Sequence, residues 1–256
     1  MLKPYIQLLR IPQYIKNLVI FLPAFFSLRI TEPETFLRTL LAAVAFSIVA
    51  SSVYILNDYL DQDEDRAHPV KKNRPIASGA VPGTHALVMM VVLVLIGVGI
   101  FLWLDRYAFY LVSAYVFQNV AYSLRLKHIP IIDLFIIALG FLIRIATGSQ
   151  VADPLIPLSM WIALMILLGA LFLGLAKRRD DVLLAAGGAQ VRKNIDGYNL
   201  EFINGAMMII ASVLLVSYLF YTISPEAQDK HDSQYLYFTV MFVLLGVLRY
   251  LQITFV

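Results

Sequence analysis

The chain has 256 residues, of which 60% are hydrophobic and 14% charged, with a formal net charge of +3. Soluble domains carry about 45–50% apolar and about 25% charged residues, so this apolar surface exceeds what one soluble core can hide, and disorder is excluded by the same numbers. The composition is that of an integral membrane protein, and the absence of cysteine excludes disulfides and thiolate metal sites.

In chain order, residues 1–16 read as an amphipathic surface helix; two prolines and the lack of a small-residue cleavage site argue against a removable signal. A membrane helix needs about 20 apolar residues. Eight stretches approach this: 17–30, 36–56, 85–104, 107–124, 130–150, 155–176, 202–223 and 234–256. The first is short and interrupted by Pro23, which a membrane helix can tolerate. An all-α polytopic bundle of eight spans, one domain over residues 1–256, is therefore expected, with both termini on one side. Of the 20 Lys and Arg, 15 fall on the terminal side, four (Arg29, Arg38, Arg106, Lys230) on the other, and Arg144 inside a span. Basic residues mark the cytoplasmic face, so the termini and the long connections 57–84 and 177–201 are expected there.

The second stretch runs into Asn57-Asp58-Tyr59-Leu60-Asp61-Gln62-Asp63-Glu64-Asp65-Arg66. If its helix continues, Asp58, Asp61 and Asp65 fall at i, i+3 and i+7 and share a face. Unpaired, these carboxylates repel, so the face calls for a cation, and oxygen-only ligands suit Mg2+ or Ca2+ rather than zinc. His68, Lys71, Lys72, Asn73, Arg74 and Pro75 follow at once. Acids then bases in one connection read as a metal–phosphate site, with Asn57, Asp58, Asp61 and Asp65 on the cation and Lys72 and Arg74 on phosphate oxygens. A merely solvated loop has no reason to array carboxylates on one stripe beside the bilayer.

This text, Asn57-Asp58-x-x-Asp61-x-x-x-Asp65 and then Lys72-x-Arg74-Pro75-Ile76 and Gly79, resembles the first Asp-rich motif of the UbiA superfamily of intramembrane prenyltransferases. The resemblance runs from about Arg10 to Arg249. It implies a bundle of nine membrane helices, of which eight are visible here, around a central cavity open to the cytoplasmic side. It also implies Mg2+ as cofactor, with Asp58 and Asp61 essential to catalysis.

The superfamily's second Asp-rich motif is replaced by Lys177-Arg178-Arg179-Asp180-Asp181-Val182. Adjacent aspartates point about 100° apart on a helix, so this cluster reads as an anion clamp rather than a second metal site. That departure, with Asp65-Arg66-Ala67-His68-Pro69-Val70-Lys71, resembles the decaprenyl-phosphate phosphoribosyltransferase branch. Members of that branch move 5-phosphoribose from phosphoribosyl diphosphate to a polyprenyl phosphate, supplying lipid-linked pentose for the cell envelope. The resemblance further implies a bacterial or archaeal plasma-membrane enzyme whose partners are these two substrates and the bilayer, with no nucleic acid and with oligomeric state left open.

Other candidates are single residues. Tyr122 and Lys127 close the fourth stretch and read either as donor contacts or as interfacial anchors. Asp133 and Arg144 are eleven residues apart, close to three turns, and are expected to share a face. Ionisable residues inside a span are functional candidates, and Arg144 reads as an anion contact. Arg10-Ile11-Pro12-Gln13-Tyr14-Ile15-Lys16-Asn17 resembles the family's N-terminal motif, which places Lys16 and Asn17 at the cavity mouth. The competing readings are a prenyltransferase acting on an aromatic acceptor, which would want a second carboxylate face, and a transporter or lipid scaffold, which would want polar outward loops.

Overall fold

The structure is a computed structural model that describes residues 2–152, 158–187 and 193–256. Among the described residues it is all-helical: α1 (Leu2–Leu8), a 3-10 segment (Ile11–Phe21), α2 (Leu22–Phe26), α3 (Pro33–Leu60), α4 (Gln62–Ala67), α5 (Gly83–Leu104), α6 (Arg106–Leu124), α7 (Ile132–Ala152), α8 (Met160–Ala186), α9 (Leu200–Ile223), α10 (Pro225–His231) and α11 (Thr239–Phe255). Six helical stretches among the described residues are long and apolar enough to cross a membrane: Pro33–Leu60, Gly83–Leu104, Ile132–Ala152, Met160–Ala186, Leu200–Ile223 and Leu236–Phe255.

Two of the eight expected spans differ. Residues 17–30 form no continuous helix: the 3-10 segment ends at Phe21, α2 covers five residues, and Leu28 adopts φ 59°. Pro12 and Pro23 sit at the starts of these two pieces, where a missing N–H is tolerated. The amphipathic helix expected over residues 1–16 is likewise cut short, because Arg10 turns left-handed (φ 52°) after α1. Residues 107–124 do form a helix, α6, but Ser113, Gln118, Asn119 and Ser123 keep it out of the strongly apolar set. The stretch expected over 155–176 begins at residues 155–157, which lie outside the described residues, as does Arg192.

The chain folds into two compact units, Met1–Lys127 with Gly140–Leu158, and His128–Leu139 with Ser159–Val256. In the first, α3 packs on α5, α6 and the 3-10 segment around Phe46, Val49, Phe101, Val112 and Tyr115. Gly148 makes the approach to the 3-10 segment possible, since a Cβ there would stand 2.0 Å from the Ile20 carbonyl oxygen. A smaller cluster, Leu8, Ile55, Ile76, Val81 and Ala86, holds the connection after α4 against α1, α3 and α5. In that connection Gly79 adopts φ 77°, which glycine reaches without steric cost. In the second unit α9 packs against α8 and α11 around Leu134, Phe172, Leu175, Ile203 and Met207.

Candidate functional site

The helix carrying the acidic motif stops one residue before Asp61, which takes φ −92°, ψ 4°. The chain restarts as α4, so the expected single stripe of three carboxylates is broken at Asp61. No group of three metal-type side chains forms among the described residues. Instead Asp58 and Asp65, both nearly inaccessible, converge on one nitrogen: Arg74 Nη1 donates to Asp58 Oδ1 at 3.0 Å and to Asp65 Oδ2 at 2.6 Å. Arg10 donates to the same Asp58 oxygen, and its guanidinium lies 5.2 Å from the Tyr54 ring centre. Asp61 has partners of its own: it accepts from Lys127 Nζ and, at 2.9 Å, from Asn57 Nδ2.

Acid and base therefore alternate within hydrogen-bond distance, rather than lying in separate patches as their order in the sequence suggests. Buried carboxylates without partners cost several kcal/mol each, and here the connection after α4 folds back so that its own Arg74 neutralises two of them. His68 shapes that connection, its Nδ1 accepting from the amides of Val70 (3.1 Å) and Lys71 (3.3 Å). Lys72 is exposed and forms no ion pair among the described residues. Arg10 also belongs to the site, although in the sequence it is only part of the N-terminal motif; the one acid it meets, Asp58, is 48 positions away, and no local pattern shows that.

The donor set suits a hard divalent ion. It is entirely oxygen, positive charge already sits where Asp58 and Asp65 converge, and the Asn57 side-chain oxygen Oδ1 has no hydrogen bond among the described residues.

The remaining candidates separate. Asn17, buried, bridges Ser47 (2.8 Å) and Arg144 (2.8 Å). Lys16 is exposed and Tyr122 half-buried. Asp133 and Arg144 do not form one site: Arg144 belongs with Asn17 and Tyr115, while Asp133 is wholly buried against Arg178.

The expected anion clamp is narrowed as well. Residues 177–179 lie within α8, which continues to Ala186, and not in a loop. Arg178 donates through Nε (3.1 Å) and Nη2 (2.5 Å) to Asp133, and through Nη1 to Asp181 at 3.4 Å. Arg179 donates to Asn204 and to the carbonyls of Thr254 and Phe255 at the end of α11. Lys177 is the exposed member of the three. Tyr198 completes the Asp133 cluster by donating to Oδ1 at 2.8 Å while accepting from the Ile131 amide at 2.6 Å. Burial pushes the Tyr198 phenol up to about 12, helped by its bond to Asp133 and opposed by the Ile131 amide.

Fold and site together define a polytopic, all-helical membrane protein with an interleaved carboxylate–guanidinium centre at one end of its longest apolar helix. The chain belongs to the UbiA prenyltransferase family, whose profile matches residues 18–254. It is 33% identical over 216 residues, 82% of this chain and 67% of the relative, to the decaprenyl-phosphate phosphoribosyltransferase of Mycolicibacterium smegmatis. A Corynebacterium glutamicum protein of the same name is 30% identical over 250 residues, 96% of this chain and 75% of that one. A UbiA homolog from Archaeoglobus fulgidus, solved with DMAPP and Mg2+, shares the fold with a TM-score of 0.78 at 15% identity, covering 98% of this chain and 86% of that chain.

Proposed function

We propose that this transferase moves 5-phosphoribose from phosphoribosyl diphosphate to a polyprenyl phosphate, releasing diphosphate, as a source of lipid-linked pentose for the cell envelope. The observation that supports it best is the alternation of three cations, Arg10, Arg74 and Lys127, with three carboxylates, Asp58, Asp61 and Asp65. Such a centre offers ligands to a cation and donors to phosphate from the same few side chains. Identity to two relatives named for phosphoribosyl transfer favours this donor over a prenyl diphosphate.

In this reading Asn57, Asp58, Asp61 and Asp65 would hold Mg2+, which supplies neutralising charge for the leaving diphosphate. Arg74, Lys72 and Lys127 meet donor phosphate oxygens, with Tyr122, Lys16 and Asn17 around them. Arg178 and Arg179 position α8 through Asp133, Asn204 and the end of α11. The bond from ribose C1 to diphosphate breaks with its electron pair leaving on the diphosphate, and an acceptor phosphate oxygen bonds to C1 from the opposite face. That oxygen is already anionic near neutral pH, so no general base is required. Holding both partners in line supplies the proximity term, about 7–11 kcal/mol in favourable cases. The excess of basic residues on one side supports a cytoplasmic position for this centre at the plasma membrane.

Purified protein should turn over phosphoribosyl diphosphate with polyprenyl phosphate when Mg2+ is added, and Asp58→Ala should abolish it. Turnover only with prenyl diphosphate and 4-hydroxybenzoate would sink the proposal in favour of aromatic prenylation.

A further inference from the structure

Arg144 lies on α7 in the middle of an apolar span and is 5% exposed. Its Nε donates to Asn17 Oδ1 (2.8 Å), Nη1 to the Gly140 carbonyl (2.8 Å) and Nη2 to the Tyr115 hydroxyl (3.0 Å). Three ring faces surround its guanidinium carbon, with centres of Phe46, Tyr115 and Phe141 at 5.0, 4.9 and 5.3 Å. Among the described residues no carboxylate pairs with it, in contrast to Arg178, which is equally buried and has Asp133. A guanidinium has five N–H donors and cannot shed its charge by titration, so two N–H groups and a full positive charge remain uncompensated by any anion. Neutral oxygens and ring faces offset only part of the cost of burying such a charge.

The groups around it are also donors. The Tyr115 hydroxyl, 4% exposed, accepts from Arg144, and its own proton has no acceptor among the described residues. Tyr54 makes no hydrogen bond among them either, and it lies within electrostatic reach of Arg144, Tyr115 and Arg10. Gly140 keeps the space clear, because a Cβ there would come within 3.3 Å of Arg144 Nη1 and 3.5 Å of the Tyr115 ring. A charged donor and two hydroxyl donors without acceptors are what the oxygens of an anion require.

We infer that Arg144, Tyr115 and Tyr54 form a metal-independent oxyanion site that takes a phosphate monoester. None of its three side chains hydrogen-bonds Asp58, Asp61 or Asp65 among the described residues. It rests on the proposed function only in that such a reaction has two phosphate monoesters to offer, one on the ribose and one on the lipid acceptor.

The test uses the full chain in detergent, stripped of divalent ions with EDTA, and titrates ribose 5-phosphate and a polyprenyl phosphate separately by calorimetry. At least one should bind without metal, and the arm that binds names the source. Arg144→Gln should weaken that binding about tenfold or more, the scale of one charged hydrogen bond, whereas Asp58→Asn should leave it in place and lose Mg2+-dependent turnover. Should Arg144→Gln fail to fold, Tyr115→Phe keeps the ring face and removes one donor, and it should still weaken binding several-fold. Binding by neither ligand, binding only after Mg2+ is added, or unchanged affinity in both variants overturns the inference. Metal-free binding in a protein that transfers no phosphoribose would instead sink the proposed function and leave this site standing.

Discussion

Arg74 neutralises Asp58 and Asp65 with one nitrogen, at the same carboxylates that would hold Mg2+ in the proposed function. Cation and guanidinium would then compete for those carboxylates. Arg74→Gln is expected to tighten divalent binding by up to about tenfold, the equivalent of one charged hydrogen bond, while lowering turnover through loss of the phosphate donor proposed above. Mn2+ titration followed by electron paramagnetic resonance reads the first effect independently of activity; weaker Mn2+ binding in the variant would contradict the competition. Tyr198 gives a second residue-level expectation. Its folded phenol holds its proton to about 12, against an ordinary value of 10.0. Below pH 10 both folded and unfolded chains are protonated there and the full contribution to stability is present. Between 10 and 12 the unfolded chain ionises first, so stability falls as pH rises. Phenolate absorbance of the detergent-solubilised protein should show one late-titrating tyrosine that Tyr198→Phe removes.

Between helices, the charged contacts act as joints. Asp133 in the first turn of α7 and Arg178 in α8 are both buried and joined by two hydrogen bonds to one carboxylate oxygen. Breaking such a pair by removing one partner strands a buried charge at about 3–5 kcal/mol, while replacing both with apolar residues is often close to neutral. Asp133→Leu alone should therefore lower the thermal midpoint sharply, and Asp133→Leu with Arg178→Met should recover most of it. If the double variant is as unstable as the sum of the two singles, Arg178 is not primarily the partner of Asp133, and its reading as an anion ligand regains weight. Helix periodicity placed Asp133 with Arg144 on one face of α7, yet each found partners elsewhere. A helix face says which residues point the same way, and only packing says what they meet.

At the scale of the whole molecule, apolar content and the Asp-rich text made the membrane bundle and its acidic centre legible, because hydrophobic length and i, i+3 spacing are local properties. The pairing of Arg10 with Asp58 and of Lys127 with Asp61 was not, since 48 and 66 residues separate those partners. The first expected span is broken for a local reason visible in the sequence: Pro23 divides it. Sidedness depends on where the basic residues fall along the whole chain, and the lack of any cysteine makes it directly measurable. Ala80, in the connection after α4, and Lys230, in α10, are both exposed, so a single cysteine at either is open to a polar reagent. With the basic side facing the cytoplasm, Ala80→Cys should react with a membrane-impermeant maleimide only in inverted vesicles, and Lys230→Cys only in intact cells. Both positions labelling from the same side would require an odd number of crossings between residues 80 and 230 to become even. The charge asymmetry would then no longer support a cytoplasmic position for the acid–base centre, and the proposed supply of a phosphorylated donor from the cytosol would lose that support.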